Sequence, residues 1–414
     1  MKTRKHTSFP PNPGLGLIAA GLLIAANAAA QDWPQWLGPQ RNGHTAGFTP
    51  PAVWPREPKQ VWKNPVGNAD ATPALVGDKL YVFSRDGDNE VLRCLEAATG
   101  REIWKDAYAA EPATGPASRH PGPRASIACA DGKLVTYGVR GMLSCVNAAD
   151  GKVLWRKNDF PEAWPTFFTA ASPLILDGKV IAFVGGRRQG GVAAYDLATG
   201  NRLWLWNGDV PAYSSPAVAE LDGRKVILAL TERQFTALDP AEGAVLWQTE
   251  FPSGRRAYNA ATPIVDGNRV YISGSGRGTR AYEFAWNGNR LEARQLWSNE
   301  DVAVQFNTPI LAAGRLHGWT NRGNAFCLDA ATGKTLWVDS ARRANGFGSV
   351  VAAGKVLIAL TPGADLFVLS PEADGFAPGA QYKVAEGATY AMPVVSGQRI
   401  FIQDSSSVAL WTIE

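Results

Sequence analysis

One pattern recurs through most of this 414-residue chain and constrains its fold more than any other feature. The clearest copy is residues 308–337, TPILAAGRLHGWTNRGNAFCLDAATGKTLW. Related copies begin near residues 71, 125, 171, 214, 261, 348 and 391, which makes eight starts. Self-similarity with a period of roughly 45 residues is typical of solenoids and propellers.

Each copy has the pattern of four short strands, with β-branched and aromatic residues interrupted by Gly-containing turns. The third turn is the most regular, as in Asp196–Gly200 and Asp329–Gly333, where Asp can accept backbone N–H bonds and Gly can adopt positive φ. A Trp follows four residues later, and we expect it to fill the wedge between neighbouring sheets. Such residues close six copies, with Tyr382 in the seventh place: Trp104, Trp155, Trp204, Trp247, Trp297 and Trp337.

The last copy, which starts at Ala391, lacks its fourth strand and its Trp, whereas Val61–Lys63 looks like a fourth strand with no copy before it. Pairing these two segments would close a ring and remove both open sheet edges. The sequence therefore predicts an all-β fold, an eight-bladed β-propeller of four-stranded antiparallel blades. The N-terminal strand would complete the C-terminal blade.

The first thirty residues have the pattern of a signal peptide. Lys2, Arg4 and Lys5 precede an apolar stretch, and small residues stand before Gln31. The predicted organisation is a signal peptide over 1–30, an N-terminal extension over 31–60 and the propeller over 61–414. No Cys lies near the cleavage region to accept a lipid, and no later stretch reaches the roughly 20 apolar residues of a membrane span. We expect a periplasmic or secreted protein with no membrane span.

Charge and histidine content argue against several classes of function. The net charge of +4 includes three basic residues of the predicted signal peptide, so the mature chain is nearly neutral and lacks a basic run for nucleic acid. Only His44, His120 and His317 remain after cleavage, which argues against His-based metal clusters.

The four cysteines form neither a C-x-x-C pair nor an adjacent pair. Cys94, Cys145 and Cys327 occupy a position at which other copies have a small residue, so we interpret them as thiols packed between blades. The role of Cys129 stays open, as does a disulfide between Cys129 and Cys145.

The phrases ALDPAEGAVLW (237–247), CLDAATGKTLW (327–337) and CVNAADGKVLW (145–155) resemble the repeats of PQQ-like β-propeller proteins, and in particular propellers of the BamB type, which act in outer-membrane assembly. The segment Asp32–Gly43 also resembles the leader of exported members. The resemblance implies a non-enzymatic binding or scaffold module, monomeric, with an envelope protein or peptide as its partner. The alternative is a PQQ-binding quinoprotein oxidoreductase that acts on an alcohol or sugar.

Large PQQ-dependent alcohol dehydrogenases carry an adjacent Cys pair, a Ca²⁺ ion and a catalytic Asp beside the quinone. The adjacent Cys pair is absent here, and Asp86–Asn89 has the pattern of a hairpin tip without the Glu of an EF-hand loop. We therefore predict no catalytic and no metal-binding residues, and PQQ with Ca²⁺ only under the alternative.

Two histidines are candidates for a catalytic triad. His317 lies within an alternating strand pattern and is interpreted as structural, with its hydrogen bonds satisfied. His120 lies in the Pro- and Gly-rich loop 107–124, which could be a lid but is better explained as a surface loop.

A candidate binding site comes from aligning the copies at their first strand, which lines the axial channel of a propeller. Each copy has a Pro, or a residue in its place, at the start of this strand, and the residue three positions earlier should lie at one mouth of the channel. The eight copies together would then form a ring of such residues. In two copies that residue is Ala, and an aromatic residue stands two positions before the Ala. Aromatic residues with a few charges favour ligand or peptide contacts, although these rings could instead pack under the connecting loops. The predicted binding residues are Asp70, Arg124, Phe168, Tyr213, Tyr258, Phe306, Phe347 and Tyr390.

Overall fold

Seven of the eight sequence copies each supply the four antiparallel strands of one blade in the computed structural model, which describes Met1 and residues 31–254 and 258–413. Within these seven blades the strands pair in chain order, and we label the strands of every blade a to d from the central channel outward. The eight-bladed propeller predicted from the repeats is confirmed. The predicted signal peptide lies outside the described residues, apart from Met1.

Blade 1 contains Ala74–Val76, Lys79–Asp86, Asn89–Glu96 and Glu102–Ala109, and blade 2 contains Ala128–Ala130, Lys133–Tyr137, Leu143–Asn147 and Val153–Lys157. Blade 3 contains Leu174–Leu176, Lys179–Gly186, Gln189–Asp196 and Arg202–Trp206, and blade 4 contains Ala217–Leu221, Arg224–Leu230, Gln234–Leu238 and Val245–Glu250. Blade 5 contains Ile264–Asp266, Arg269–Gly274, Gly278–Asn287 and Arg290–Asn299, and blade 6 contains Ile310–Ala312, Arg315–Trp319, Asn324–Asp329 and Thr335–Arg342. Blade 7 contains Ser349–Ala353, Val356–Leu360, Asp365–Leu369 and Ala380–Lys383, and blade 8 contains Val394–Ser396, Arg399–Gln403, Ser407–Thr412 and Lys59–Pro65. The short strand His44–Thr45 and the 3₁₀ helix Gly115–Ala117 lie outside this pattern.

The core lies between blades rather than within them. Strand b of blade 1, KLYVFSRD, is buried on both faces because another blade packs against each side. Strand d of the same blade, EIWKDAYA, alternates between exposed and half-buried residues because it forms the outer edge. This difference explains why the inner strands have continuous apolar runs while the outer strands alternate.

The composite eighth blade closes the ring as predicted. Strand Lys59–Pro65 pairs antiparallel with Ser407–Thr412, with Trp62 opposite Leu410. The closing strand begins two residues before the predicted propeller boundary at residue 61.

Tryptophans dock blades onto their neighbours, as expected from the repeat, and in blade 7 Tyr382 takes the place of the Trp. The Trp155 indole Nε1 of blade 2 donates to the Leu197 carbonyl of blade 3 at 3.0 Å, and its ring covers Gly200. A Cβ at Gly200, where φ is +72°, would approach Trp155 to 2.6 Å. The same Gly-to-Trp contact recurs at Gly100 with Trp62, Gly151 with Trp104, Gly243 with Trp204 and Gly333 with Trp297.

A ring of hydroxyl groups links the blades around the channel. The Ser126 backbone N–H donates to Ser172 Oγ at 2.9 Å, and the Ser172 N–H donates to Ser215 Oγ at 2.9 Å. Equivalent bonds run from Thr72 to Ser126, Ser215 to Thr262, Thr262 to Thr308 and Met392 to Thr72. The last bond joins blade 8 to blade 1. We call these hydroxyl-bearing residues the hydroxyl ring.

The cysteines are free thiols, including Cys129 and Cys145, whose pairing the sequence left open. Cys94, Cys145 and Cys327 are fully buried between blades, as expected of packed thiols. Burial raises the pKa of each of these three thiols to about 11 or 12, which disfavours the reactive thiolate.

His317 lies within strand b of blade 6 and is 3% exposed, as predicted for a structural residue, but its Nε2 has no hydrogen-bond partner among the described residues. Burial lowers its pKa to about 4. As the pH falls below the ordinary value of 6.5, the unfolded chain therefore binds a proton before the folded protein does.

We accordingly expect the contribution of neutral His317 to stability to be complete above pH 6.5 and to be lost as the pH falls through 4. Between pH 7.5 and 4.5 the wild type should lose roughly 2 to 3 kcal/mol more free energy of unfolding than His317→Leu. Urea unfolding of both proteins across this range measures the difference. Parallel pH profiles would contradict the assignment.

Candidate functional site

The N-terminal extension enters the axial channel, where residues 32–45 form a segment that we call the plug. Trp33 exchanges two backbone hydrogen bonds with Leu75 in strand a of blade 1, at 2.8 and 2.9 Å. The Cys129 N–H of blade 2 donates to the Pro34 carbonyl at 2.8 Å. Trp33 is fully buried.

The remaining residues of the plug reach the other six blades. Arg41 donates to the Pro173 and Pro216 carbonyls of blades 3 and 4. Trp36 Nε1 donates to Thr262 Oγ1 of blade 5, and His44 Nε2 bonds to the Leu311 carbonyl of blade 6. The strand His44–Thr45 pairs in parallel with Ala352 and Ala353 of blade 7. Thr45 Oγ1 donates to the Val395 carbonyl of blade 8. A segment that touches all eight blades must lie on the propeller axis. The plug therefore closes the channel on one side.

The other side of the channel opens as a cavity of about 370 Å³. Trp36 of the plug forms its floor, and Ser172, Ser215 and Thr308 of the hydroxyl ring line its wall. The remaining lining residues come from the loops before strands a: Asp70, Pro116, Ala117, Arg119, His120, Arg124, Phe167, Ala170, Tyr213, Ala260, Phe306, Asn307, Phe347 and Tyr390.

Aromatic rings form an unbroken arc around this mouth. Phe306 stacks on Phe347 with ring centroids 4.4 Å apart and planes 8° from parallel. Both remain partly exposed, at 36% and 37%. The arc contains, in order, Phe167, Tyr213, Tyr258, Phe306, Phe347, Tyr390 and His120.

Charged side chains complete the circle between the two ends of the arc. His120 Nδ1 lies 2.7 Å from Asp70 Oδ2. The Arg124 guanidinium donates to the carbonyls of Phe167 and His120, and its burial lowers its pKa. Arg119 is exposed at the rim. The mouth therefore combines an apolar aromatic wall with one polar side.

Six of the eight predicted binding residues line this cavity, namely Asp70, Arg124, Tyr213, Phe306, Phe347 and Tyr390. Tyr258 lies in the arc through ring contacts with Tyr213 and Phe306 but does not line the cavity.

Phe168 does not lie at the mouth, which corrects its predicted position. It is 4% exposed and stacks on Trp164 at 5.2 Å, in a small core with Ala113 and Val139. Its backbone adopts φ of +66°, a left-handed turn that sends consecutive side chains in different directions. Phe167 takes the place at the cavity.

The loop 107–124 is part of the site rather than a plain surface loop, since Pro116, Ala117, Arg119 and His120 all line the cavity. Trp36 was also missed, because a non-repeated segment carries no signal of where it docks. The hydroxyl ring could have been predicted from the sequence. Seven of the eight copies have Ser or Thr directly before the Pro, or the residue in its place, at the start of the first strand, as in Ser172-Pro173.

The Asp70–His120 pair is the arrangement in which a carboxylate orients an imidazole as a general base. However, no hydroxyl or thiol among the described residues bonds to His120. The pair can therefore orient or bind a ligand, but the nucleophile of a triad is missing from the described part of the chain.

The family model described as outer membrane protein assembly factor BamB matches residues 87–339. The chain belongs to the BamB family. It is 24% identical over 359 residues to BamB of Burkholderia pseudomallei, covering 83% of this chain and 85% of that protein. It is 26% identical over 229 residues to the tetrathionate hydrolase of Acidithiobacillus ferrooxidans, covering 52% of this chain but only 44% of that enzyme.

Among solved structures, a europium-containing methanol dehydrogenase superposes with a TM-score of 0.71 at 12% identity, covering 92% of this chain and 98% of that chain. This likeness shows a shared propeller fold. This member of the BamB family has no helix within its described residues that is long and apolar enough to cross a membrane.

Proposed function

We propose that this protein is an exported, monomeric, non-enzymatic binding module whose mouth cavity holds a segment of an envelope protein. Membership of the BamB family and the signal peptide predicted from residues 1–30 support export to the envelope. One observation carries the binding function, namely the arc of partly exposed aromatic rings around a 370 Å³ cavity. Concave sites with aromatic walls and a few polar groups are typical of ligand recognition.

The alternative, a quinoprotein oxidoreductase, finds little support in the residues of the cavity. Asp70 is the only carboxylate among the described lining residues, and it is already bonded to His120. The described residues contain no group of three or more His, Cys, Asp or Glu that could hold a metal ion. No cysteine lines the cavity in the described part of the chain. These side chains do not match the Ca²⁺ and quinone site expected of the alcohol dehydrogenases.

The proposal is tested by placing the photo-crosslinking residue p-benzoylphenylalanine at Phe347 in cells that express the full chain. The matched control is Leu154, an equally exposed residue on the outer edge of blade 2. We expect discrete crosslinks to envelope protein from position 347 only, weakened by Phe306→Ala. Equal crosslinking from both positions would contradict a site at the mouth.

Incubation of the purified protein with PQQ and Ca²⁺, followed by an assay of alcohol or sugar oxidation with a dye acceptor, tests the non-enzymatic assignment. We expect no turnover above that of a Phe306→Ala, Tyr390→Ala double variant. Robust PQQ-dependent turnover would replace the proposal with the quinoprotein interpretation.

Truncation of a mouth ring should affect binding far more than stability. Phe306→Ala removes a partly exposed ring, so we expect a loss of less than about 1.5 kcal/mol in the free energy of unfolding. Phe326→Ala, which removes a 1% exposed ring of the same blade, should cost roughly 3 to 5 kcal/mol. Thermal and chemical unfolding compare the two. Similar large losses in both would place the mouth rings in the core.

A further inference from the structure

The cavity is closed at its inner end. Trp36 lies at the floor, held by its Nε1 bond to Thr262 at 2.9 Å, and the plug behind it contacts every blade. A polypeptide therefore cannot pass through the channel as a continuous strand. What enters from the mouth must be a side chain or the end of a chain.

The polar side of the cavity carries more positive than negative charge. Arg119 lines the rim and has no hydrogen bond or ion pair among the described residues. The hydrogen bonds of Arg124 all go to carbonyl oxygens. Asp70, the single carboxylate among the described lining residues, is bonded to His120 and also attracts the Arg124 guanidinium.

A further positive charge lies in the plug. The Arg41 guanidinium bonds to Gln35 and to the carbonyls of Pro173 and Pro216, which directly follow the cavity residues Ser172 and Ser215. Arg41 is buried and has no carboxylate partner in the described part of the chain. Arg41 does not line the cavity, so it can favour an incoming anion only through its positive charge and not by a direct hydrogen bond.

We propose that the mouth cavity captures the carboxyl terminus of a polypeptide, with the terminal carboxylate at Arg119 and the last apolar or aromatic side chain against Phe306 and Phe347. A chain end with a negative charge fits both the closed floor and the excess of cations, whereas an amino terminus would meet the same cations with like charge. Guanidinium groups bind carboxylates with charge-assisted hydrogen bonds. This inference rests on the proposed function, because it names the segment that the site would hold.

The test titrates the full mature protein by calorimetry with an acetylated pentapeptide, Gly-Ser-Gly-Val-Phe, that ends in a free carboxylate. Its C-terminal amide is the uncharged comparison, and a second control is the reversed amidated peptide with a free amino terminus. We expect the acid to bind about tenfold more tightly than the amide, because one charge-assisted bond is lost. Arg119→Gln should reduce this ratio to below about threefold. Arg188→Gln, which removes an exposed arginine outside the cavity, should leave the ratio unchanged.

The inference would be overturned by equal binding of acid and amide, by tighter binding of the free amine, or by an acid-to-amide ratio that Arg119→Gln does not change. Absence of binding by all three peptides also overturns it. In that case the crosslinks from position 347 decide separately whether the mouth binds some other part of an envelope protein.

Discussion

Gly200→Ala is expected to lower the free energy of unfolding by roughly 3 kcal/mol or more. The added Cβ would lie 2.6 Å from Cδ2 of Trp155, and φ is +72°. Two penalties are therefore combined, namely backbone strain and displacement of the Trp that docks blade 2 onto blade 3. Chemical unfolding followed by tryptophan fluorescence measures the loss.

Gly178→Ala is the matched control in the same blade. Gly178 has the same φ of +72°, but no atom lies within 4 Å of the position that the added methyl group would take, so only the strain remains. We expect it to cost roughly 1 to 2 kcal/mol. Equal losses at the two glycines would mean that the contact with Trp155 contributes nothing to stability.

The second large effect is expected from the plug. Trp33→Ala removes a fully buried indole that packs between the extension and blade 1, and we expect a loss of roughly 3 to 5 kcal/mol in the free energy of unfolding. Val53→Ala, in the part of the extension outside the channel, changes an 82% exposed residue and should cost less than about 0.5 kcal/mol.

Proteolysis gives a second measurement for the plug. If Trp33→Ala loosens the segment, cleavage within residues 32–45 should become faster while the blades stay intact. Unchanged stability together with rapid cleavage would show that the plug is not part of the cooperative fold. The floor of the cavity, which the plug provides, could then move independently of the blades.

Much of the fold could be predicted because every copy of the repeat must meet the same requirement, namely to pack one sheet against the next. The Asp–Gly turn and the Trp after it, as in Asp196, Gly200 and Trp204, must recur wherever two sheets pack at the same angle. Blade closure was predictable for a similar reason, since Lys59–Pro65 and Ser407–Thr412 are each incomplete without the other.

The site was predictable only where it follows the repeat. Tyr213, Phe306 and Tyr390 occupy equivalent positions and were found by alignment, whereas Phe167 and His120 lie in insertions that follow no period. The direction of a side chain in such an insertion depends on local backbone angles, such as the positive φ of Phe168, which alignment does not supply. Trp36 reaches the cavity through contacts that are distant in sequence.

The composite eighth blade has a consequence for how the chain is made. Strand Lys59–Pro65 precedes all the other blade strands in the chain, so it is synthesised well before its partner Ser407–Thr412. Until then the early strand has no partner to cover its edge, and a β edge without a partner invites pairing with other chains. We therefore expect ring closure to be a slow, late step of folding, because it pairs two strands that are far apart in the sequence.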